Sequence, residues 1–207
     1  MRSSKEYRQE AKYQCDFNVN PLILITLIVM LIQLVINFTI RETNPDGTIT
    51  ETTPLGILTF FISGPIALGW VSVSKKVYYR EIVKVGDVFN GFKTQYWKSC
   101  LAYLLQSIYL LGWGIISFGV MAIIKSIAYS MTYFVMEDNP TLSANEAITE
   151  SRRIMNGHKE EYLCLILSYF GWLILCCLTL GILYLWVGPR IQQAAYLFYL
   201  DCTDERI

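Results

Sequence analysis

From Pro21 to Ile40 the chain carries twenty residues without a single charge. A helix needs about 20 such residues to cross the hydrocarbon core of a bilayer, so this run predicts a transmembrane span. Pro21 suits the first turn, where its missing N–H has no partner to lose. Roughly twenty polar residues precede the run and no small-residue cleavage site follows it, which is not the plan of a secretory signal.

Three further apolar runs follow. Leu55 to Val73 is interrupted by Gly64-Pro65. The runs from Leu101 past Val135 and from Tyr162 to Leu200 are each too long for one crossing and right for two. Gly112-Trp113-Gly114 and Thr179-Leu180-Gly181 are the expected turns. One domain, 1–207, then holds six spans near 21–40, 55–73, 99–114, 118–136, 162–178 and 182–200. The expected fold class is all-α, a polytopic six-helix membrane bundle. Charged residues make up 16% of the chain, against about 25% in soluble domains. Seventeen Lys+Arg balance seventeen Asp+Glu, which excludes a strongly basic nucleic-acid binder and an acidic disordered tail.

The basic residues are unevenly placed. Arg2, Lys5, Arg8 and Lys12 precede the first span. Lys75, Lys76, Arg80, Lys84, Lys93 and Lys98 follow the second, Arg152, Arg153 and Lys159 follow the fourth, and Arg206 follows the last. With six spans these share one side, and only Arg41 lies opposite. The positive-inside rule then predicts both termini in the cytoplasm, in a multi-pass protein of the cytoplasmic membrane. The outer loop 41–54 carries the turn signature Asn44-Pro45-Asp46-Gly47 between Thr-rich flanks. It reads as a solvated loop, with a small hairpin as the alternative.

The chain repeats itself. Asn90-Gly91-Phe92-Lys93 recurs as Asn156-Gly157-His158-Lys159, each followed by a Tyr, a span and Gly-Trp (Gly112-Trp113, Gly171-Trp172). Gly64-Pro65 likewise matches Gly188-Pro189. The unit is a cytoplasmic amphipathic segment followed by a helical hairpin, present three times if the N-terminal segment counts, with the copies parallel. The third segment is clearest. Ser143-x-x-Glu146 is a capping box, Ala147, Ile148, Ser151, Ile154 and Met155 form one face, and Gly157 suits a left-handed end. An interfacial helix is expected near 144–156. Val85, Val88, Phe89 and Phe92 suggest a shorter version, and Ser3-x-x-Glu6, Tyr7, Ala11 and Cys15 an N-terminal one. Such helices either seal the cytoplasmic rim of the bundle or recruit a partner.

Lys125-Ser126-Ile127-Ala128-Tyr129-Ser130-Met131, Asp138-Asn139-Pro140 and Glu150-Ser151-Arg152-Arg153-Ile154-Met155-Asn156-Gly157-His158-Lys159 stand in an order that resembles a known family. Leu167 to Trp172, Thr179 to Ile182, Pro189, Ala194-Ala195 and Phe198-Tyr199 continue the match. The chain resembles the bacterial integral-membrane domain-of-unknown-function family numbered 975, well over about residues 85–201. The resemblance implies a bacterial cytoplasmic-membrane protein, typically of Gram-positives, similar in character to the membrane domains of some glycerophosphodiester phosphodiesterases. It brings no established activity. The chain departs from the family at Met121-Ala122, where Pro-Gly is usual, and at Arg190, where an aromatic is usual.

Little here suggests catalysis. His158 is the lone histidine, and no Asp or Glu falls within a predicted span, so neither a carboxylate relay nor a hydrolytic pair is expected. Glu137-Asp138 and Glu160-Glu161 read as solvated acidic pairs. The six cysteines make no CxxC and no zinc spacing, and Cys176-Cys177 read as packing residues. No catalytic residue, metal or cofactor is expected.

Two cations inside spans carry the sharper signal. Lys125 and Arg190 fall at similar depth in equivalent helices, near mid-membrane at ~1.5 Å per residue, with no membrane carboxylate to pair with. Such a residue costs about 3 kcal/mol on insertion scales and turns to the bundle interior. The expectation is a polar pocket between the second, fourth and sixth spans that holds an anionic headgroup or small anion, with Lys125, Arg190, Tyr129, Gln192 and Gln193 as ligands. The competing reading has each cation snorkel or bond to backbone carbonyls. Function is therefore read first as a non-enzymatic membrane protein binding an anionic lipid or other amphiphile. The alternatives are a small-anion transporter or channel, and a scaffold docking a cytoplasmic protein partner. Nucleic acid is not an expected partner, and the oligomeric state is left open.

Overall fold

The structure, a computed structural model, describes residues 2–36, 40–43, 49–52, 58–116 and 120–203. Helix dominates. In chain order the helices are α1 (Ser4–Asp16), α2 (Val19–Ile36), α3 (Leu58–Tyr78), a 3-10 turn over Val85–Phe89, α4 (Asn90–Thr94), α5 (Tyr96–Ile116), α6 (Val120–Tyr129), α7 (Thr132–Asp138), α8 (Ala144–Ile154), α9 (Lys159–Leu167), α10 (Phe170–Leu178) and α11 (Tyr184–Thr203). Between α2 and α3, β1 (Ile40–Thr43) pairs antiparallel with β2 (Ile49–Thr52), Ile40 opposite Thr52. This hairpin corrects the reading of the outer loop as a plain solvated loop and is the alternative weighed for it; the fold is otherwise helical, as expected. Its Ile and Thr residues are β-branched and suit an extended chain. The Asn44–Gly47 turn signature lies outside the described residues.

Three stretches are long and apolar enough to cross a membrane: Val19–Ile36, Leu58–Tyr78 and Lys159–Leu178. The other expected spans come out differently. α5 runs straight through Gly112 and Gly114 to Ile116, so the expected turn does not form there. The fourth predicted span is two helices, α6 and α7, parted at Ser130-Met131. The run Lys159–Leu178 is likewise parted at Ser168-Tyr169 into α9 and α10. Both breaks carry a serine whose hydroxyl donates to the carbonyl three residues back, Ser130 to Ile127 at 2.8 Å and Ser168 to Leu165 at 2.6 Å. Such local bonds compete with the helix ladder. The turn at Thr179-Leu180-Gly181 forms where expected. Gly181 has φ +84° and its N–H donates to the Cys176 carbonyl at 2.8 Å, which closes α10 in a left-handed cap.

The molecule exposes apolar side chains and buries polar ones. Leu101, Leu104, Ile108, Leu111 and Ile115 form one exposed stripe on α5, and Leu24, Leu27, Leu31 and Leu34 another on α2. Inside, Ser99, Thr132, Ser151 and Gln193 are buried. Soluble proteins do not expose apolar stripes of this extent; lipid tails cover them in a membrane protein.

Three amphipathic segments brace this core, each against a helix of another hairpin. α1 starts with the expected capping box, Ser3 accepting from the Glu6 N–H and Glu6 from the Ser3 N–H, and lies along α11. There Tyr7 donates to Asp201 Oδ2 at 2.7 Å, and Gln193 donates to Gln14 Oε1 at 2.8 Å. The 3-10 turn and α4 lie on α3. Their approach depends on missing side chains: a Cβ on Gly69 would strike the Val88 carbonyl, and one on Gly91 the Pro65 carbonyl. The motif residues Gly64-Pro65 and Asn90-Gly91 thus belong to one contact. Pro65 withholds an N–H from the Phe61 carbonyl, which the Cys100 thiol reaches at 3.5 Å. α8 carries the expected capping box at Ser143 and Glu146 and ends at Asn156-Gly157, with Gly157 at φ +90°. It packs across α5, α6 and α7, with the Ser151 hydroxyl donating to the Ala128 carbonyl at 2.8 Å.

Candidate functional site

Lys125 and Arg190 do not share a pocket. Each turns instead to an amphipathic segment and to the tryptophan of its own hairpin's Gly-Trp pair.

Arg190 follows Pro189 in α11 and sits beside the last turn of α1. Its Nη2 lies 3.3 Å from Asp16 Oδ1, so the expectation of a cation with no acid beside it is corrected. The acid comes from α1, not from a span, which a search of the spans alone does not find. With Arg190 at 27% and Asp16 at 49% side-chain exposure, the pair is worth at most about 1 kcal/mol. Arg190 also lines a groove of about 290 Å³ with Lys5, Arg8 and Lys12 of α1 and with Tyr169 and Trp172. Arg8 is held there by a 2.8 Å bond from Nη1 to the Ser168 carbonyl, at the break between α9 and α10. Among the described residues Lys5 and Lys12 make no ion pair. The three α1 cations stand at i, i+3 and i+7, the spacing of one helix face. That signal is present in the sequence, but there the residues served only to orient the chain. Below the groove Cys15 is buried, which pushes its thiol up to about 12, with Arg190 opposing the shift. It is a neutral packing group at physiological pH.

Lys125 of α6 places Nζ 4.6 Å from the centre of the Trp113 ring, a cation–π contact. Arg152 of α8 and Lys159 of α9 are close enough for their charges to bear on it. The Ser151–Ala128 bond holds α8 one helical turn away. On α8 itself Glu150 is drawn below the usual carboxylate range by its bond from Arg153, so that acid is spent within the helix.

The remaining expected ligands separate. Tyr129 is buried beside Tyr109 and Ile148, as packing. Gln193 is taken by Gln14. Only Gln192 reaches a partly open cavity of about 480 Å³, lined by α2, α3, α5, α7, α9 and α11. Trp70, Tyr103, Tyr133, Tyr162 and Tyr184 line it too, and neither Lys125 nor Arg190 does. These aromatics come from five different helices, so no local spacing marks them.

Other sequence candidates are structural. Glu137 accepts from the Ser72 hydroxyl at 2.6 Å, and Asp138 from Lys75 at 2.7 Å, so this acidic pair ties helices together and is not merely solvated. His158 Nδ1 lies 3.3 Å from Glu161 Oε2. All six cysteines are free; Cys176 is buried, whereas Cys177 is exposed and does not pack as expected. Among the described residues no group of three His, Cys, Asp or Glu is gathered in metal-binding distance.

No curated protein matches the chain, and no solved structure does. A family model matches it twice, over residues 1–126 and 113–206. With the whole fold thus covered, the chain belongs to the family described as Protein of unknown function (DUF975).

Proposed function

We propose that this chain is a non-enzymatic, multi-pass protein of the cytoplasmic membrane that binds the headgroup of an anionic lipid or similar amphiphile in the groove between α1 and α11. The observation that carries the reading is the convergence of Lys5, Arg8, Lys12 and Arg190 beside Tyr169 and Trp172. Four cations meet one edge acid, so the groove keeps a positive surplus for a phosphate or carboxylate. The aromatic rings suit the headgroup level of a bilayer, and both termini lie on the cytoplasmic side with α1. The anion-transport alternative finds no support in the central cavity, because no charged side chain lines it.

The test is lipid retention. Purified protein is placed in nanodiscs of mixed phosphatidylglycerol and phosphatidylcholine, and co-purifying lipid is quantified by native mass spectrometry. Retention should favour phosphatidylglycerol and fall about tenfold in Lys5→Gln/Lys12→Gln/Arg190→Gln, at roughly 0.5 kcal/mol lost per exposed charge contact. Equal retention of both lipids, or no change in the triple variant, sinks the reading.

A further inference from the structure

The central cavity differs in kind from the groove. We propose that it is a second binding site, selective for an uncharged small amphiphile carrying a hydroxyl, amine or carbonyl group. Its volume of about 480 Å³ is that of a site for a drug-sized molecule. Its wall combines aromatic rings, among them Trp70, Tyr162 and Tyr184, with aliphatic side chains and a few uncharged polar groups. An ion there would lose its hydration without meeting a counter-charge, which excludes it on free-energy grounds. A neutral molecule meets no such cost.

Gln33 donates to Ser63 at 3.5 Å along the wall, whereas the buried Tyr133 hydroxyl has no hydrogen-bond partner among the described residues. Thr26 and Ser130 donate backward to carbonyls of their own chain, Leu22 at 2.8 Å and Ile127 at 2.8 Å. The Thr26 oxygen keeps its lone pairs, while the Ser130 hydroxyl also lies within hydrogen-bond reach of Tyr162. Gln192, whose carboxamide carries donors and an acceptor, borders the same space and makes no side-chain hydrogen bond to another described residue. The space is also held open. At Gly188 a Cβ would press on the Tyr184 ring at 3.0 Å, so any larger residue would make that ring shift by a few tenths of an ångström. Ser130, at the break between α6 and α7, and Gly188, inside α11 next to its proline, both border the cavity.

The experiment uses matched probes on the full chain in nanodiscs: 1-aminoanthracene, neutral at pH 7, and anthracene-1-carboxylate, an anion with the same ring system. Probe fluorescence is titrated, with Ala67→Trp to fill the cavity and Ala67→Leu as a milder filling should the first fail to fold. The aminoanthracene should saturate, and the carboxylate should bind at least about tenfold more weakly. Filling the cavity should abolish the saturable signal, and Gln192→Leu should weaken the amine about fivefold, as one hydrogen bond at ~1 kcal/mol implies. The Lys5/Lys12/Arg190 triple variant should bind it unchanged, which separates this site from the groove. The proposal is overturned by equal affinity for both probes, by the absence of saturable binding, or by saturable binding that survives both fillings.

Discussion

The Arg190 and Lys125 corners share a plan and differ in outcome. In each, a cation on the second helix of a hairpin meets the tryptophan of the first helix and the basic residues of an amphipathic segment. At Arg190 the segment is α1, its cations line an open groove, and Asp16 offers partial neutralisation. At Lys125 the segment is α8, and the ring of Trp113 takes the ammonium directly. At a third contact, the 3-10 turn on α3, an acid meets a lysine directly: Lys76 meets Asp87 at 2.8 Å, and beside it Lys75 meets Asp138 of α7 at 2.7 Å. The lesson is that similar docking can produce a charged groove, a capped cation or a closed salt bridge. The choice depends on where a few acids fall.

That comparison breaks most sharply if one corner is dismantled alone. Ala11 of α1 and Ala147 of α8 are both fully buried. Ala11→Trp should overpack the α1–α11 contact by about 1–3 kcal/mol, speed proteolysis within α1 and remove anionic-lipid retention. Ala147→Trp should loosen α8 by a similar amount and leave that retention intact. Loss of retention in both variants would mean the corners are one cooperative unit. Next, Ser151→Ala removes the bond to the Ala128 carbonyl and should cost about 1 kcal/mol, read as a lower thermal midpoint with unchanged lipid binding.

The third contact is sharpened by acid. Burial pushes the Asp87 carboxyl up, but the bonds from Lys76 and from the Lys84 backbone N–H outweigh it and hold it below its ordinary value of 3.8. A depressed folded value means the stabilisation is complete above that ordinary value and is lost as pH falls through the lower one. Thermal midpoints measured between pH 5 and pH 2 (roughly the acid limb over which carboxylates titrate) should fall less in Asp87→Asn than in the unaltered chain. The smallest effect belongs to Asp16→Asn. It frees Arg190 and should tighten anionic-lipid retention a few-fold, the reach of an exposed pair worth at most ~1 kcal/mol. Weaker retention would mean that Asp16 positions the guanidinium.

Much of this layout was legible in the sequence. The capping boxes at Ser3 and Ser143, the left-handed end at Gly157 and the turn at Thr179-Leu180-Gly181 follow from local chemistry that short spacings encode. The breaks at Ser130 and Ser168 were not legible, because a serine bonding to its own helix is common and only tertiary packing decides whether the helix gives way. Asp16 was overlooked because hydropathy assigns it outside every span, while α1 carries it to Arg190 across 174 positions of chain. The central cavity was invisible for the same reason: its wall is assembled from six helices, none of which announces it.

The closing of α1 on α11 also sets an order of events in synthesis. Tyr7 and its partner Asp201 are separated by 194 positions. At the usual pace of translation, α1 waits about 10–40 s for the helix it docks on. Until then its stripe of lysines and arginine has only the surface of the membrane to lie on. The groove therefore comes into being last, and a ribosome that stops before α11 releases a chain that cannot form it.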